Sequence, residues 1–319
     1  MKSTIASNSR PCNLYGFLIA LALILLLLPG CGRDADSRVV DFEKTIPVAR
    51  PGEGSTGQPT LKVAVGAIVS PKETFVYYRQ LLDYLADKLG TNIKLVQRKT
   101  YKEVNELIGK GRIDLAFICS GPYATGKGKY GFELLATPEV RGSHFYHSYL
   151  IVNRKSSFNG LEDLRRRVFA FTDPDSHTGK IVPTYWLAEM NERPETFFGK
   201  IIYTYSHDNS ILAVAKGLVD GAAVDGLVWE YYQHTNPALT SATRVVRKSE
   251  QYGIPPLVAS STVPSDIKDR VRELILAMHE DPQGRQILTK LLIDRFIPPR
   301  EEWYDSIRQL EQEISALRE

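Results

Sequence analysis

Cysteine is scarce in this sequence, with three in 319 residues, too few for a disulfide framework to replace a core. Neither sign of charge dominates. Forty Lys and Arg against 37 Asp and Glu give a net charge of +3, which excludes the cationic surface of a general nucleic-acid binder. The run Arg165-Arg166-Arg167 reads as a solvated helix end. There is no glycine-rich nucleotide loop of recognised spacing and no nucleophile–base constellation, so neither a cofactor nor an enzyme activity is expected. His144 and His147 stand three apart without an obvious carboxylate or cysteine companion, and no metal site is expected from them. Long apolar runs are missing too: the longest, residues 17–28, is short of the about 20 residues that span a bilayer core. What remains, 43% hydrophobic and 24% charged residues, is the composition of a globular protein long enough for two lobes.

Residues 1–31 carry Lys2 and Arg10, no acidic residue, and the apolar run, which ends in Leu28-Pro29-Gly30-Cys31. This is the layout of a secretory signal. Gly30 before Cys31 resembles a lipoprotein signal, in which Cys31 is lipidated and becomes the new N-terminus; Pro29 stands where a small or aliphatic residue is usual. The alternative is an uncleaved anchor with an incidental cysteine. Either way the expected location is outside the cell membrane and tethered to it. Residues 32–60, rich in Pro, Gly, Asp and Ser, read as a flexible tether with an end-to-end distance of roughly 30 Å. Cys119, inside an apolar run, reads as a buried small hydrophobe.

From residue 61 strands and helices alternate. Residues 61–68 predict a strand, and Ser70-Pro71-Lys72-Glu73 a capping box with Pro at the first helical position. Leu81, Leu82, Leu85 and Leu89 continue at helical spacing to Gly90. Strands are predicted at 93–99 and 113–118 around a helix over 101–110. This βαβαβ pattern implies an α/β protein with a mostly parallel sheet. The scheme repeats with strands at 145–154, 168–172, 200–206 and 219–225 and helices at 179–191 and 209–216. After a segment at 243–249, helices start near Pro264, Asp281-Pro282 and Arg300. The architecture expected is two α/β lobes joined by two crossings, with lobe 1 over 61–143 and 245–319 and lobe 2 over 144–244. Both lobes would point the carboxyl ends of their strands into one cleft, where ligands of open α/β sheets bind.

The turn Ser176-His177-Thr178-Gly179 follows a strand and opens a helix. Backbone N–H groups, the helix dipole and two hydroxyls would suit an anion there; plain N-capping by Ser176 or Thr178 fits the spacing equally well. His207, in a second such turn, could donate to an oxyanion. Asp225 closes a strand facing the cleft, where a carboxylate beside an anion is costly unless it takes a proton or meets a cation. Ser70, Tyr101 and Ser120 follow the three strands of the first lobe and could add hydroxyls.

Several segments in order resemble one family: Ser70-Pro71 with Thr74; residues 113–117 before a small polar loop; Tyr146 before Leu150-Ile151-Val152-Asn153. Ala170-Phe171-Thr172-Asp173-Pro174-Asp175-Ser176 with Gly179 and Pro183 continues the likeness, as do Ser206-His207-Asp208, Gly217-Leu218-Val219-Asp220 and Ile254-Pro255-Pro256. Over about residues 61–290 the chain is similar to the phosphate-, phosphite- and phosphonate-binding components of ABC importers. The resemblance implies a type II periplasmic-binding-protein fold that closes over a phosphorus oxyanion and delivers it to an ABC permease. It further implies that Ser176 and Thr178 bind oxyanion oxygens, with His207 beside them, while Tyr101 and Tyr146 close from the first lobe and the hinge. The family's Ser-Thr-Ser-Gly turn is here Ser176-His177-Thr178-Gly179, and Lys180 replaces an apolar residue, so the ligand can differ from the family's usual one. An anion-sensing lipoprotein paired with a membrane sensor, or an enzyme on the same two-lobed fold, are the alternative readings.

Overall fold

A computed structural model describes residues 60–66 and 68–316; the expected signal, with Cys31, and all but the last residue of the expected tether lie outside the described residues. In chain order, β1 (Thr60–Val65) leads to α1 (Pro71–Leu89), then β2 (Asn92–Val96), α2 (Tyr101–Gly109), β3 (Leu115–Phe117), α3 (Ser120–Tyr130) and β4 (Phe132–Glu139). Helix α1 has Pro71 at its first position and stops at Gly90, whose left-handed φ of 63° lets its N–H reach back to Ala86 and Asp87. Its buried leucines, Leu81, Leu82, Leu85 and Leu89, pack on Val63, Val65, Leu115 and Phe117 of the sheet. The capping box expected at Ser70 is not made, because the Ser70 N–H goes to Asp208 instead; a full box forms at Thr100–Glu103, at the start of α2.

The chain crosses over in β5 (Phe145–Tyr146) and builds a second sheet from β6 (Ser148–Asn153), β7 (Val168–Phe171), β8 (Lys200–Tyr203), β9 (Gly221–Asp225) and β10 (Thr243–Lys248). Around these strands lie α4 (Val182–Ala188), α5 (His207–Ala215) and α6 (Gly226–Thr235). It returns through β11 (Tyr252–Gly253) to β12 (Leu257–Ser260), α7 (Ser265–Ala277), α8 (Pro282–Leu291), β13 (Arg295–Ile297) and α9 (Asp305–Ala316). The first sheet runs β13-β4-β12-β3-β1-β2 and the second β10-β6-β9-β7-β8.

Each sheet therefore has three parallel strands, β2-β1-β3 and β8-β7-β9, extended by antiparallel ones. The "mostly parallel" expectation holds only for that βαβαβ part of each lobe. The predicted strand over 145–154 is two strands, broken at His147, whose carbonyl accepts from the Gly226 N–H and whose Nδ1 meets the Ser249 carbonyl. Strand β10 stays paired with β6 through Lys248, past the lobe boundary expected at residue 244. The two crossings pair with each other, Tyr252 opposite Tyr146 and Gly253 opposite Phe145, as a short antiparallel ribbon between the lobes. Helix α9 packs on α3 of the first lobe and α4 of the second, with Arg308 Nε donating to the Ala124 carbonyl at 3.2 Å.

Candidate functional site

Strand β7 delivers Thr172 and Asp173 to the lobe junction. The Ser176 N–H turns back onto the Asp173 carbonyl at 3.0 Å, and Ser176, in extended backbone, caps a single π-helical turn over His177–Ile181 that runs into α4. The Ser176 hydroxyl accepts from the Gly179 N–H at 3.1 Å. Its lone pair thus does the capping while its proton stays available to another acceptor, so the two readings of the turn are not exclusive at this residue. Gly179 is required by close approach: a Cβ there would lie 1.8 Å from Thr172 Oγ1. From β6, Ser148 Oγ donates to the Thr178 carbonyl at 2.7 Å and fixes the turn to the sheet.

The first lobe and the hinge face this turn. Tyr101 opens α2 and donates its N–H to Asp173 Oδ2 across the junction, at 3.2 Å. Ser120 Oγ and the Tyr146 hydroxyl share a 2.6 Å hydrogen bond, and the same phenol lies against Thr178. Tyr101 OH, Thr172 Oγ1, Thr178 Oγ1 and Ser206 Oγ are all buried without a partner that meets hydrogen-bond geometry. Each unmet buried polar group costs about 1–3 kcal/mol. Four of them in the turns and helix starts where two lobes meet are what a polar ligand would satisfy.

His207 begins α5. Its backbone N–H donates to the Ile68 carbonyl at 3.0 Å, and its Nδ1 accepts from the Asp225 N–H at 2.9 Å. The proton of the neutral ring is thereby fixed on Nε2, and burial lowers the imidazole to about 3. Asp225 ends β9 and caps α6, its Oδ1 accepting from the Leu227 and Val228 N–H groups at 2.8 and 3.3 Å. Burial outweighs those bonds and raises the carboxyl to about 7. None of the gathered side chains is a cation, so the site presents neutral dipoles and two buried carboxyls, Asp225 and Asp173, both of which burial raises.

Not every expected residue arrives by its side chain. The His177 ring stands edge-on to Tyr252, with centroids 4.2 Å apart, and burial lowers its pKa to about 3. Its ring thus faces the hinge, while its backbone N–H approaches the thiol of Cys119, which burial pushes up to about 12. A Cβ on Gly121, in α3, would sit 3.0 Å from the His177 Cβ, so the lobes touch here too. Ser70 takes part through its backbone, the N–H donating to Asp208 Oδ1 at 2.8 Å. Asp173 and Asp208, which bond one lobe to the other, and the unpaired hydroxyls of Thr172 and Ser206 join the junction without a sequence motif that marks them as site residues. The available signal was their position in the same strand-to-helix turns as Ser176 and His207. Among the described residues, no group of three His, Cys, Asp or Glu gathers as metal ligands.

Residues 63–304 match the family described as "ABC transporter, phosphonate, periplasmic substrate-binding protein". The phosphonates-binding periplasmic protein of Escherichia coli is 22% identical over 246 residues, 76% of this chain and 72% of that protein. A binding-protein component of an ABC phosphonate transporter from Pseudomonas aeruginosa superimposes with a TM-score of 0.77 at 23% identity, over 82% of this chain and 88% of its own. PhnD1 from Prochlorococcus marinus, solved in complex with methylphosphonate, superimposes with a TM-score of 0.72 at 20% identity, over 80% of this chain and 98% of its own.

Proposed function

The chain belongs to the family of periplasmic substrate-binding proteins of phosphonate ABC transporters, and on that premise we propose that it captures a phosphorus oxyanion at the lobe junction and presents it to an ABC permease. The observation that carries this reading is the set of buried, unpaired hydroxyls of Tyr101, Thr172, Thr178 and Ser206 around a one-turn helix start. A phosphonate, phosphite or phosphate group offers the several acceptor oxygens they lack. The Ser176 hydroxyl proton and the Nε2–H of His207 supply further donors. Ser120 and Tyr146 brace the hinge side through their mutual bond, Gly179 lets the turn close, and Ser70 holds the lobes shut.

Asp225 sets the charge state. An anion bound by neutral donors next to an ionised carboxylate would be repelled; with Asp225 near 7, one proton shared between its carboxyl and an oxyanion oxygen removes the conflict. The site thus favours ligand and carboxyl carrying that proton between them.

Calorimetry with methylphosphonate, phosphite and phosphate tests the reading. Thr178→Val removes a hydrogen bond to a charged acceptor, worth about 1.5–3 kcal/mol, and should weaken binding roughly 10- to 150-fold at little change in melting temperature. A stability loss of about 1 kcal/mol with unchanged affinity would reduce the turn to a helix cap. The Gly30-Cys31 junction supports export as a lipoprotein whose Cys31 carries the anchor. Cys31→Ala should abolish radiolabelled-lipid incorporation and block processing; labelling that persists would refute the anchor.

A further inference from the structure

Between the lobes lies a cavity of about 140 Å³. Tyr78, Phe117 and Ile254 wall it from the first lobe and Leu227, Val228 and Tyr231 from the second. Two residues join it to the oxyanion site. Ile68, whose carbonyl receives the His207 N–H and whose side chain packs on Tyr101 and Cys119, forms part of its wall, and so does Asp225. The cavity is therefore next to the atoms proposed to hold phosphorus.

Its chemistry is apolar. The Tyr78 and Phe117 rings pack 5.1 Å apart, and Tyr77 and Tyr231 meet edge-on at 4.9 Å. The Tyr77 hydroxyl is engaged by Glu73 and Tyr232 and that of Tyr231 by Tyr77, while the Tyr78 hydroxyl lies near Asp225, so most of the wall is ring and aliphatic carbon. Among the described residues Asp225 is the only acid in the wall and there is no base, and one Asp225 oxygen already caps α6. An ammonium group placed here would lose its hydration and find, besides ring faces, a single carboxyl, the same one needed to hold the oxyanion's proton. Cavities of this volume with such walls take a benzene-sized apolar group.

We propose that this cavity is a substituent subsite, so that the preferred ligand is a phosphonate whose carbon substituent is a short alkyl chain or an aryl ring rather than an aminoalkyl group. The proposal rests on the oxyanion reading of the preceding subsection. Each methylene buried here strengthens binding about fourfold.

The test is calorimetry of the full chain with methyl-, propyl-, phenyl- and 2-aminoethylphosphonate. Propyl and 2-aminoethyl are near-isosteric, so they compare a methyl with an ammonium at one position. Propylphosphonate should bind about 15-fold tighter than methylphosphonate and at least tenfold tighter than 2-aminoethylphosphonate. Leu291→Trp, at the half-buried mouth of the cavity and away from the oxyanion turn, should erase the propyl and phenyl advantage and leave methylphosphonate affinity unchanged. Equal affinity for methyl and propyl, or tighter binding of 2-aminoethylphosphonate, overturns the subsite while the oxyanion site stands. Binding of none of the four overturns both.

Discussion

At the scale of single residues, the site is tuned by what burial does to three titratable groups. His177 and His207 are held near 3, well below the ordinary imidazole value, so between about pH 6.5 and 3 the unfolded chain binds more protons than the folded one. Their contribution to stability is therefore present above pH 6.5 and is lost as pH falls through that window. Asp225 acts with the opposite sign: its carboxyl is raised from 3.8 to about 7, so the folded chain holds the extra proton and stability falls as pH rises across that range. Asp225→Asn keeps an oxygen to cap α6 and removes the titration. Measured against the wild type by denaturation of the ligand-free proteins, the variant should gain stability as pH rises from 5 to 8, by at most roughly 3 kcal/mol, because only the wild type then loses the Asp225 proton. Binding follows the same logic. In the proposed site His207 would donate as the neutral Nε2–H tautomer, so its protonation should not shape affinity between pH 5 and 7, whereas wild-type affinity for methylphosphonate should drop above about pH 7. Titration calorimetry of wild type and Asp225→Asn separates the two, since the ligand's own ionisation is common to both; identical pH profiles would remove Asp225 from the site.

At the scale of elements, the decisive piece is the π turn over His177–Ile181. Gly179 is there because the turn closes directly onto Thr172 at the end of β7, not because of a left-handed backbone. Gly179→Ala should cost about 3 kcal/mol and abolish ligand binding, and Thr172→Ala in the same chain should recover part of the stability by removing the clashing oxygen. Chemical denaturation of the two variants checks this. The glycine and the hydroxyls are readable from sequence; the turn's π pitch is not, and the segment reads simply as a helix from residue 179. The same division runs through the fold. Helices α1, α2 and α8 are legible because Pro71, Gly90, Gly111 and Asp281-Pro282 punctuate them. Helix α3, with Gly121, Pro122, Gly126 and Gly128, has poor intrinsic propensity and forms because its buried face packs against the sheet and α9. Strand β12 has only four residues, all buried, so it shows no alternation, yet it sits in the sheet between β3 and β4 and brings the chain back to the first lobe. Long-range pairing made these elements, and pairing leaves little local trace.

At the scale of the whole molecule, the lobes are held together by bonds that do not need the ligand's phosphorus. Ser70 N–H to Asp208, His207 N–H to the Ile68 carbonyl and Tyr101 N–H to Asp173 all run from one lobe to the other. The ribbon of β5 and β11 and the last helix, α9, lie where the chain passes between lobes, so an opening motion would turn about them and break those three bonds. A ligand touching Tyr101 on one side and Thr178 on the other binds the closed arrangement better and shifts the population toward it. Asp208→Ala removes one latch, at the buried start of α5, without touching the turn. It should raise the dissociation constant for methylphosphonate about tenfold, the equivalent of one charged hydrogen bond of about 1.5 kcal/mol spent on closure. Small-angle scattering should show the wild type compacting as methylphosphonate is added, and Asp208→Ala should reach the same compact radius at saturation while starting more open. If neither protein changes its radius on saturation, the lobes are rigid and the three bonds are static parts of the core.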